Sequence, residues 1–157
     1  MLELREISDR LELTDLMVRY AHCVDTRDWA TWRTLFTPDA HIDYTAMGGA
    51  AGGVEETARW LESTLEMFPA FQHLVSNPML TIDGDTAVGR TMCFNPMVTP
   101  NEGVGDRNVF FCGLWYLDTF VRTADGWRIS TRTEEKSFVY NMSGAFGSGP
   151  ARSVDAS

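Results

Sequence analysis

The 157-residue sequence lacks the features that mark several large classes of protein. It contains no run of about 18 apolar residues, so no membrane-spanning helix is predicted. Its 13 basic residues form no cluster and are outnumbered by 22 acidic ones. The resulting net charge of −9 disfavours binding to nucleic acid or to an anionic membrane surface. The charged N-terminus lacks the apolar stretch of a secretory signal, so we expect a cytoplasmic protein.

Cysteine is scarce and shows no pattern. The three residues, Cys23, Cys93 and Cys112, are odd in number, widely spaced and free of any C-x-x-C pair. We therefore expect reduced, buried thiols rather than a disulfide framework or a zinc site.

The length and the 44% of apolar residues fit one α+β domain, predicted at 1–143. A small, polar segment at 144–157 is predicted to be a mobile tail or a strap over a neighbour. The first predicted helix starts at Ser8 or Asp9, unless 3–7 are already helical, and ends near Val24. Its apolar face is periodic. The positions of that face are Leu11, Leu13, Met17, Tyr20 and Val24.

Two further helices and a sheet complete the predicted domain. A second helix carries residues 29–36 and is stopped by Thr37-Pro38, a short strand follows at 40–46, and a third helix covers 54–68. Long strands at 71–82 and 86–98, and at 110–123 and 127–140, flank hairpin turns, with a polar loop at 99–106. Three helices followed by one curved antiparallel sheet define an α+β domain, with the helices on one side.

Asp25 follows the apolar face of the first helix directly. An ionisable group at such a point is either a helix cap or a working carboxylate. Asp25 could cap the second helix, although Thr26 and Asp28 are equally good caps for it. The sequence leaves both interpretations open.

Four motifs in order resemble the SnoaL-like branch of the nuclear transport factor 2 superfamily. They are Y-x-x-x-x-D-x-x-D-W from Tyr20, L-F-T-P-D-A-x-I-D-Y from Leu35, Q-H-L-V-S-N-P from Gln72 and a closing D-G-W-R-I strand, so that the match covers about Ile7 to Tyr140. The resemblance implies a cone-shaped sheet whose mouth holds a small apolar ligand. It also implies kinship with scytalone dehydratase and γ-hexachlorocyclohexane dehydrochlorinase.

The resemblance also implies a catalytic pair. In those enzymes an aspartate at the end of the first helix pairs with a histidine on the first long strand, and the matching positions are Asp25 and His73. A neutral imidazole accepts a proton near neutral pH, while a carboxylate on its other nitrogen fixes the tautomer. Such chemistry needs no metal or cofactor. The alternative for His73 is a satisfied polar residue on a strand.

The other candidates are phenols, one cation and apolar rings. Tyr20 is a predicted catalytic residue, and Tyr44 and Arg132 are predicted to bind substrate or assist the departing group. Each tyrosine could instead be a core aromatic. For Arg132 the alternative is a surface or interface ion pair, because charged residues follow it immediately. Phe94 and Trp115 could line a pocket, although such residues are usually core. His22 and His41 are expected at the surface or beside the site.

These residues favour a cofactor-independent lyase, most concretely a dehydratase acting on a cyclic, largely apolar molecule such as a steroid or polyketide. The dehydrochlorinase has a lysine where this chain has Tyr20, which argues against halide elimination. The alternatives are a ketosteroid-isomerase-type isomerase, a non-catalytic β subunit of a ring-hydroxylating dioxygenase, and a pure ligand carrier. Large apolar residues on both faces of the strands at 108–140 predict a homodimer or homotrimer.

Overall fold

The computed structural model describes residues 1–99 and 108–142, where three helices pack against one curled sheet. The helices are α1 (Leu4–Thr26), α2 (Trp29–Arg33) and α3 (Val54–Leu65), and a 3₁₀ turn covers Thr45–Met47. The strands are β1 (Phe36–Asp43), β2 (Ala51–Gly52), β3 (Ala70–Phe71), β4 (Leu74–Asp83), β5 (Thr86–Val98), β6 (Val109–Thr123) and β7 (Gly126–Tyr140). The sheet order is β2-β1-β7-β6-β5-β3, and β4 also pairs with β5.

The predicted α+β class, with three helices and a curled sheet, is confirmed, but the sheet is mixed rather than wholly antiparallel. β1 runs parallel to β7 and places Ile42 beside Arg132. The second helix ends at Arg33 rather than at residue 36, because the chain already enters β1 at Phe36, so that β1 covers Phe36–Asp43 instead of the predicted 40–46. Pro38 is tolerated there because the β1–β7 register is irregular between Phe36 and His41, where no regular ladder bond is lost.

Local irregularities account for the curl. The β4–β5 register shifts between Ser76 and Met79, where Asn77 has a left-handed φ of 51°. The β6–β7 register shifts after Gly113 and again after Thr119. Because each bulge bends its strand and increases the local twist, the sheet closes partway around its inner face. This curvature forms the concave surface that α1 and α3 cover.

Most of the predicted face of α1 is confirmed as core, since Leu13, Met17, Tyr20 and Val24 are buried. The prediction that Leu11 belongs to this buried face is wrong, because Leu11 is 67% exposed.

The helix begins at Leu4, so Asp9 is not its cap but a buried residue inside it. Its carboxylate accepts hydrogen bonds from Arg122 Nη2 at 2.6 Å and from Trp127 Nε1 at 3.1 Å. These contacts tie the start of α1 to the β6–β7 hairpin.

Arg132 lies in the core, so the predicted surface or interface ion pair is wrong. Its side chain and that of Asp118 are both 0% exposed, and they form a bidentate pair with two N–O distances of 2.7 Å. The guanidinium lies between the rings of Tyr20, at 3.9 Å, and Tyr116, at 4.1 Å. Arg132 therefore packs against the faces of these two tyrosine rings.

Several predictions concern the ends of the chain and its surface. The predicted tail at 144–157 and most of the predicted loop at 99–106 lie outside the described residues, so the domain limit at 143 stays a prediction. The cysteines are free and buried, as expected. His22 and His41 are exposed. Within 1–99 and 108–142, no helix is long and apolar enough to cross a membrane.

Removing one member of the buried ion pair should destabilise the fold strongly. Asp118→Ala leaves the charge of Arg132 buried without its partner, and Arg132→Ala does the same to Asp118. We expect either change to lower the free energy of unfolding, measured by urea denaturation, by roughly 3–5 kcal/mol. The matched control is Glu135→Gln in the exposed Arg90–Glu135 pair, which should cost less than about 1 kcal/mol. Equal losses in the two pairs would contradict the structural role of the buried pair.

The outer face of the sheet carries enough exposed apolar surface to support the predicted assembly. Phe138 is 48% and Tyr140 68% exposed, and Leu74, Met79 and Val88 are exposed as well. Exposed apolar side chains on one sheet face are typical of an interaction site. Light scattering should therefore detect a dimer or trimer, and Phe138→Glu should shift the population toward smaller species. A wild-type protein that is a monodisperse monomer would contradict this prediction.

Candidate active site

A cavity of about 260 Å³ lies between α1, α3 and the inner face of the sheet. Most of its wall is apolar and includes Val24, Met47, Trp60, Leu61, Leu65, Phe68, Met97 and Phe110. A few polar side chains converge on it, namely Tyr20, Tyr44, Thr64, His73, Asn95, Tyr116 and Glu134. A small apolar cavity with few, placed polar groups is typical of a small-molecule site.

Asp25 lies in the last turn of α1 and is not a helix cap. Asp28 caps α2 instead, because its Oδ1 accepts a hydrogen bond from the backbone nitrogen of Thr31 at 3.0 Å. The capping interpretation of Asp25 is therefore wrong. Its carboxylate is free to serve another partner.

Arg27 fixes the end of α1 beside that carboxylate. It adopts a left-handed φ of 57°, which ends the helix. Its guanidinium donates to the backbone oxygens of Leu65 at 3.2 Å and Phe68 at 3.1 Å, and it lies 5.0 Å from the ring centre of Phe71. The end of α1 is thus tied to the end of α3 and to β3.

His73 is the partner of Asp25. It occupies the gap between β3 and β4 rather than the interior of a long strand, a correction to its predicted position. Its Nδ1 lies 2.7 Å from Asp25 Oδ1, and its backbone N–H reaches both carboxylate oxygens, at 3.1 and 3.0 Å. The His73 side chain is 8% exposed and that of Asp25 22%. The carboxylate holds both the ring and the main chain, which places the proton on Nδ1.

Asn95, on β5, faces the other ring nitrogen at 3.0 Å. With its Nδ2 toward the ring, the amide donates to the Nε2 of a neutral imidazole. With the amide turned by half a rotation, Oδ1 accepts from Nε2–H while Nδ2 donates to the carbonyl oxygens of Gln72 at 3.1 Å and Pro96 at 3.2 Å. In the first orientation the Asn95 oxygen faces only the two carbonyl oxygens, so the second orientation satisfies the amide better. It requires a proton on Nε2, and together with the proton on Nδ1 it suits an imidazolium.

Tyr20 and Tyr44 form a hydroxyl pair in the cavity wall. Their oxygens lie 2.6 Å apart. Burial raises the pKa of Tyr20 and raises that of Tyr44 well above its usual value, so both phenols are protonated at neutral pH. Because one hydroxyl donates to the other, one O–H proton of the pair is left for a ligand.

Three predicted substrate-binding side chains are not brought to the cavity. Arg132 is fully buried behind Tyr20, and it does not border the cavity. Phe94 stacks on Phe111 at 5.6 Å on the outer face of the sheet, and Trp115 lies there beneath the guanidinium of Arg90. Phe94 instead borders a second, more open pocket of about 590 Å³, which Asp25 and His73 also line. A substrate-binding role for these three residues stays a prediction.

Glu134 is a cavity residue that no motif in the sequence indicated. It borders the cavity from β7, and its buried Oε2 has no hydrogen-bond partner among the described residues. Burial raises the pKa of Glu134 to about 8, Asp43 adds to the rise, and Arg132 opposes it. The run of charged residues around it suggested solvent exposure. Its spacing of two from Arg132, which puts both on one face of the strand, was the available signal.

The chain is similar in sequence to a known domain family and to a mycobacterial protein. The SnoaL-like domain family matches residues 5–133. An uncharacterized protein of Mycobacterium tuberculosis is 50% identical over 143 residues, which cover 90% of this chain and 95% of the relative.

Solved structures with the same fold include three proteins whose names bear on function. A candidate aromatic ring hydroxylase from Novosphingobium aromaticivorans is 26% identical, with a TM-score of 0.76 over 87% of this chain and 94% of its own. A candidate scytalone dehydratase from the same organism is 17% identical, with a TM-score of 0.75 over 97% of both chains. Hexachlorocyclohexane dehydrochlorinase type 3 from Novosphingobium barchaimii is 18% identical, with a TM-score of 0.74 over 94% and 99%.

The raised pKa of Glu134 predicts a specific dependence of stability on pH. Since its pKa is about 8 when folded and 4.5 as the reference, the folded state binds the proton more tightly. Its contribution is complete below about pH 4.5 and is lost as pH rises through 8. Glu134→Gln should therefore be more stable than wild type at pH 9, relative to pH 5, by up to roughly 4 kcal/mol. Urea denaturation at both pH values measures the difference, and equal pH dependence in the two proteins would contradict a buried, neutral Glu134.

Proposed function

The chain belongs to the SnoaL-like domain family, and on that premise we propose that it is a cofactor-independent lyase. Its most concrete form is a dehydratase acting on a small, cyclic and largely apolar molecule. The observation that carries the proposal is the 2.7 Å contact between Asp25 Oδ1 and His73 Nδ1 at the wall of an apolar cavity. Two structures of the same fold bear names that denote elimination reactions, a dehydratase and a dehydrochlorinase.

His73 is the base in this mechanism. In the neutral ring Asp25 keeps the proton on Nδ1, and the ligand takes the place of the Asn95 amide at Nε2, whose lone pair then accepts a proton from a C–H group next to a carbonyl of the ligand. Asp25 also stabilises the imidazolium that forms when Nε2 takes the proton. Asn95 then turns its Oδ1 toward Nε2–H, which adds a second acceptor to the charged ring.

The departing oxygen meets the Tyr20–Tyr44 pair. As the C–H electrons form the new double bond and the C–O bond breaks, the free O–H of the pair donates a hydrogen bond to the leaving oxygen. The oxygen leaves as water after taking the proton that His73 removed. If the proton returns to another carbon instead, the same groups give an isomerase.

A second candidate is a non-catalytic subunit of a ring-hydroxylating enzyme. The observation that favours it is the likeness, at 26% identity, to a candidate aromatic ring hydroxylase. A supporting subunit has no need of a carboxylate held against a histidine at the wall of an apolar cavity. The Asp25–His73 contact therefore favours the lyase.

Replacing members of the dyad should abolish turnover while the protein stays folded. On a panel of cyclic β-hydroxy ketones, His73→Ala removes the base and Asp25→Asn misorients the imidazole, so either should lower turnover by roughly 10² to 10⁴. Because residues that act as a unit are strongly non-additive, the double variant should be little worse than the worse single one. The rate of enone formation, followed by ultraviolet absorbance, measures each effect.

His41→Ala is the matched control, because His41 is exposed and lies outside the cavity. It should keep wild-type turnover. Thermal midpoints of all five proteins separate lost chemistry from lost folding. Full activity in a folded His73→Ala protein would rule out the proposed chemistry, and loss of activity in His41→Ala would show that the assay does not report on the dyad.

A further inference from the structure

Glu134 and the dyad lie at different ends of the cavity. Glu134 on β7 pairs with Tyr116 on β6, whereas Asn95, which contacts His73, pairs with Cys112 on β6. The two positions are thus separated by two strand spacings, about 10 Å, and by four residues along β6, about 13 Å. The curl of the sheet shortens this separation, but one molecule must span the cavity to touch both groups.

The surroundings of Glu134 keep its carboxyl neutral and leave it unsatisfied. Oε2 is buried without a hydrogen-bond partner in the described part of the chain. A buried polar atom without a partner costs free energy, which a ligand atom can recover. The protonated carboxyl has an O–H to donate, and an acceptor oxygen of a ligand can satisfy it.

The charged and titratable groups around Glu134 narrow the ligand further. They are Arg132 on β7, Asp43 and Tyr44 at the end of β1, Tyr20 on α1, Tyr116 and Cys112 on β6, and Cys93 on β5. Because Asp118 matches the charge of Arg132, a charged ligand group would find no counter-charge beside a neutral Glu134, and an anionic group would also meet Glu134 once it ionises. A neutral carbonyl or hydroxyl oxygen suits both neighbours.

We propose that Glu134 is a substrate-binding residue whose neutral carboxyl donates a hydrogen bond to a carbonyl or hydroxyl oxygen at the end of the ligand remote from His73. The inference rests on the proposed function in taking the same cavity as the ligand site. The substrate class is then a ring system with an apolar middle, one oxygen function beside the dyad and another at the Glu134 end.

Two bicyclic probes of matched shape test the inference by binding alone. 2-Decalone carries one carbonyl oxygen and decalin carries none, so their affinity ratio reports the hydrogen bond. Measured by protein-observed NMR titration at about pH 6.5, the wild type should prefer the ketone by about tenfold. Ionisation of Glu134 removes its donor, so most of this preference should be lost at about pH 9.5.

Two variants of Glu134 separate its role from general effects of pH. Glu134→Gln keeps a donor that does not titrate, so the preference should persist at both pH values. Glu134→Leu should lose it at both. Glu135→Gln, a change at the exposed neighbouring residue, is the matched control and should keep the wild-type pH dependence.

A wild-type ketone preference that is absent, or that is unchanged between the two pH values, would overturn the inference, as would its retention in Glu134→Leu. If Glu134→Leu does not fold, the comparison of Glu134→Gln with wild type across pH decides alone. His73→Ala should keep the preference, because binding needs no base. A wild-type protein that shows the preference but turns over none of the cyclic β-hydroxy ketones would contradict the proposed lyase and leave this site standing.

Discussion

Hydrogen bonding between the Asp25 carboxylate and His73 is the interaction on which the rest of the site depends. One carboxylate accepts from the ring at 2.7 Å and from the backbone N–H of the same residue at 3.0 and 3.1 Å. It joins the end of α1 to the gap between β3 and β4, and so fixes how the longest helix closes the cavity. Arg27 secures the same helix end against α3. The contact that fixes the end of α1 is therefore the same contact that orients the His73 imidazole.

The cavity beside this contact has a few polar side chains in a mostly apolar wall, and it contains little net charge. The phenols of Tyr20 and Tyr44 stay protonated, Glu134 is neutral below about pH 8, and the charge of Arg132 is matched by Asp118. A neutral, largely apolar ligand can enter such a space without displacing tightly held ions. In the proposed mechanism Asp25, the carboxylate that contacts the ring, stabilises the imidazolium in a site with low local dielectric.

Sequence reasoning succeeded where the signal was local. The bounds of β5 and both hairpin turns followed from turn residues and alternation, whereas the pairing of Asp25 with His73 came only from the resemblance to SnoaL-like proteins. It failed where the outcome depends on distant partners. Nothing near β1 indicates that it pairs in parallel with β7, and the charged residues after Arg132 hid its burial against Asp118. That Phe94 and Trp115 lie on the outer face was not predictable, because both faces of these strands are apolar and alternation alone cannot decide which face is inner.

Hydrogen exchange at carbon tests the central claim, that His73 removes a proton from a ligand in this cavity, without requiring knowledge of the natural substrate. Cyclic ketones incubated with the protein in deuterated water exchange their α-hydrogens only if a base abstracts them, and NMR follows the deuterium gained. The account predicts faster exchange with the wild type than with a folded His73→Ala protein for ketones that bind. Equal exchange rates with the two proteins, at equal occupancy of the cavity, would contradict it.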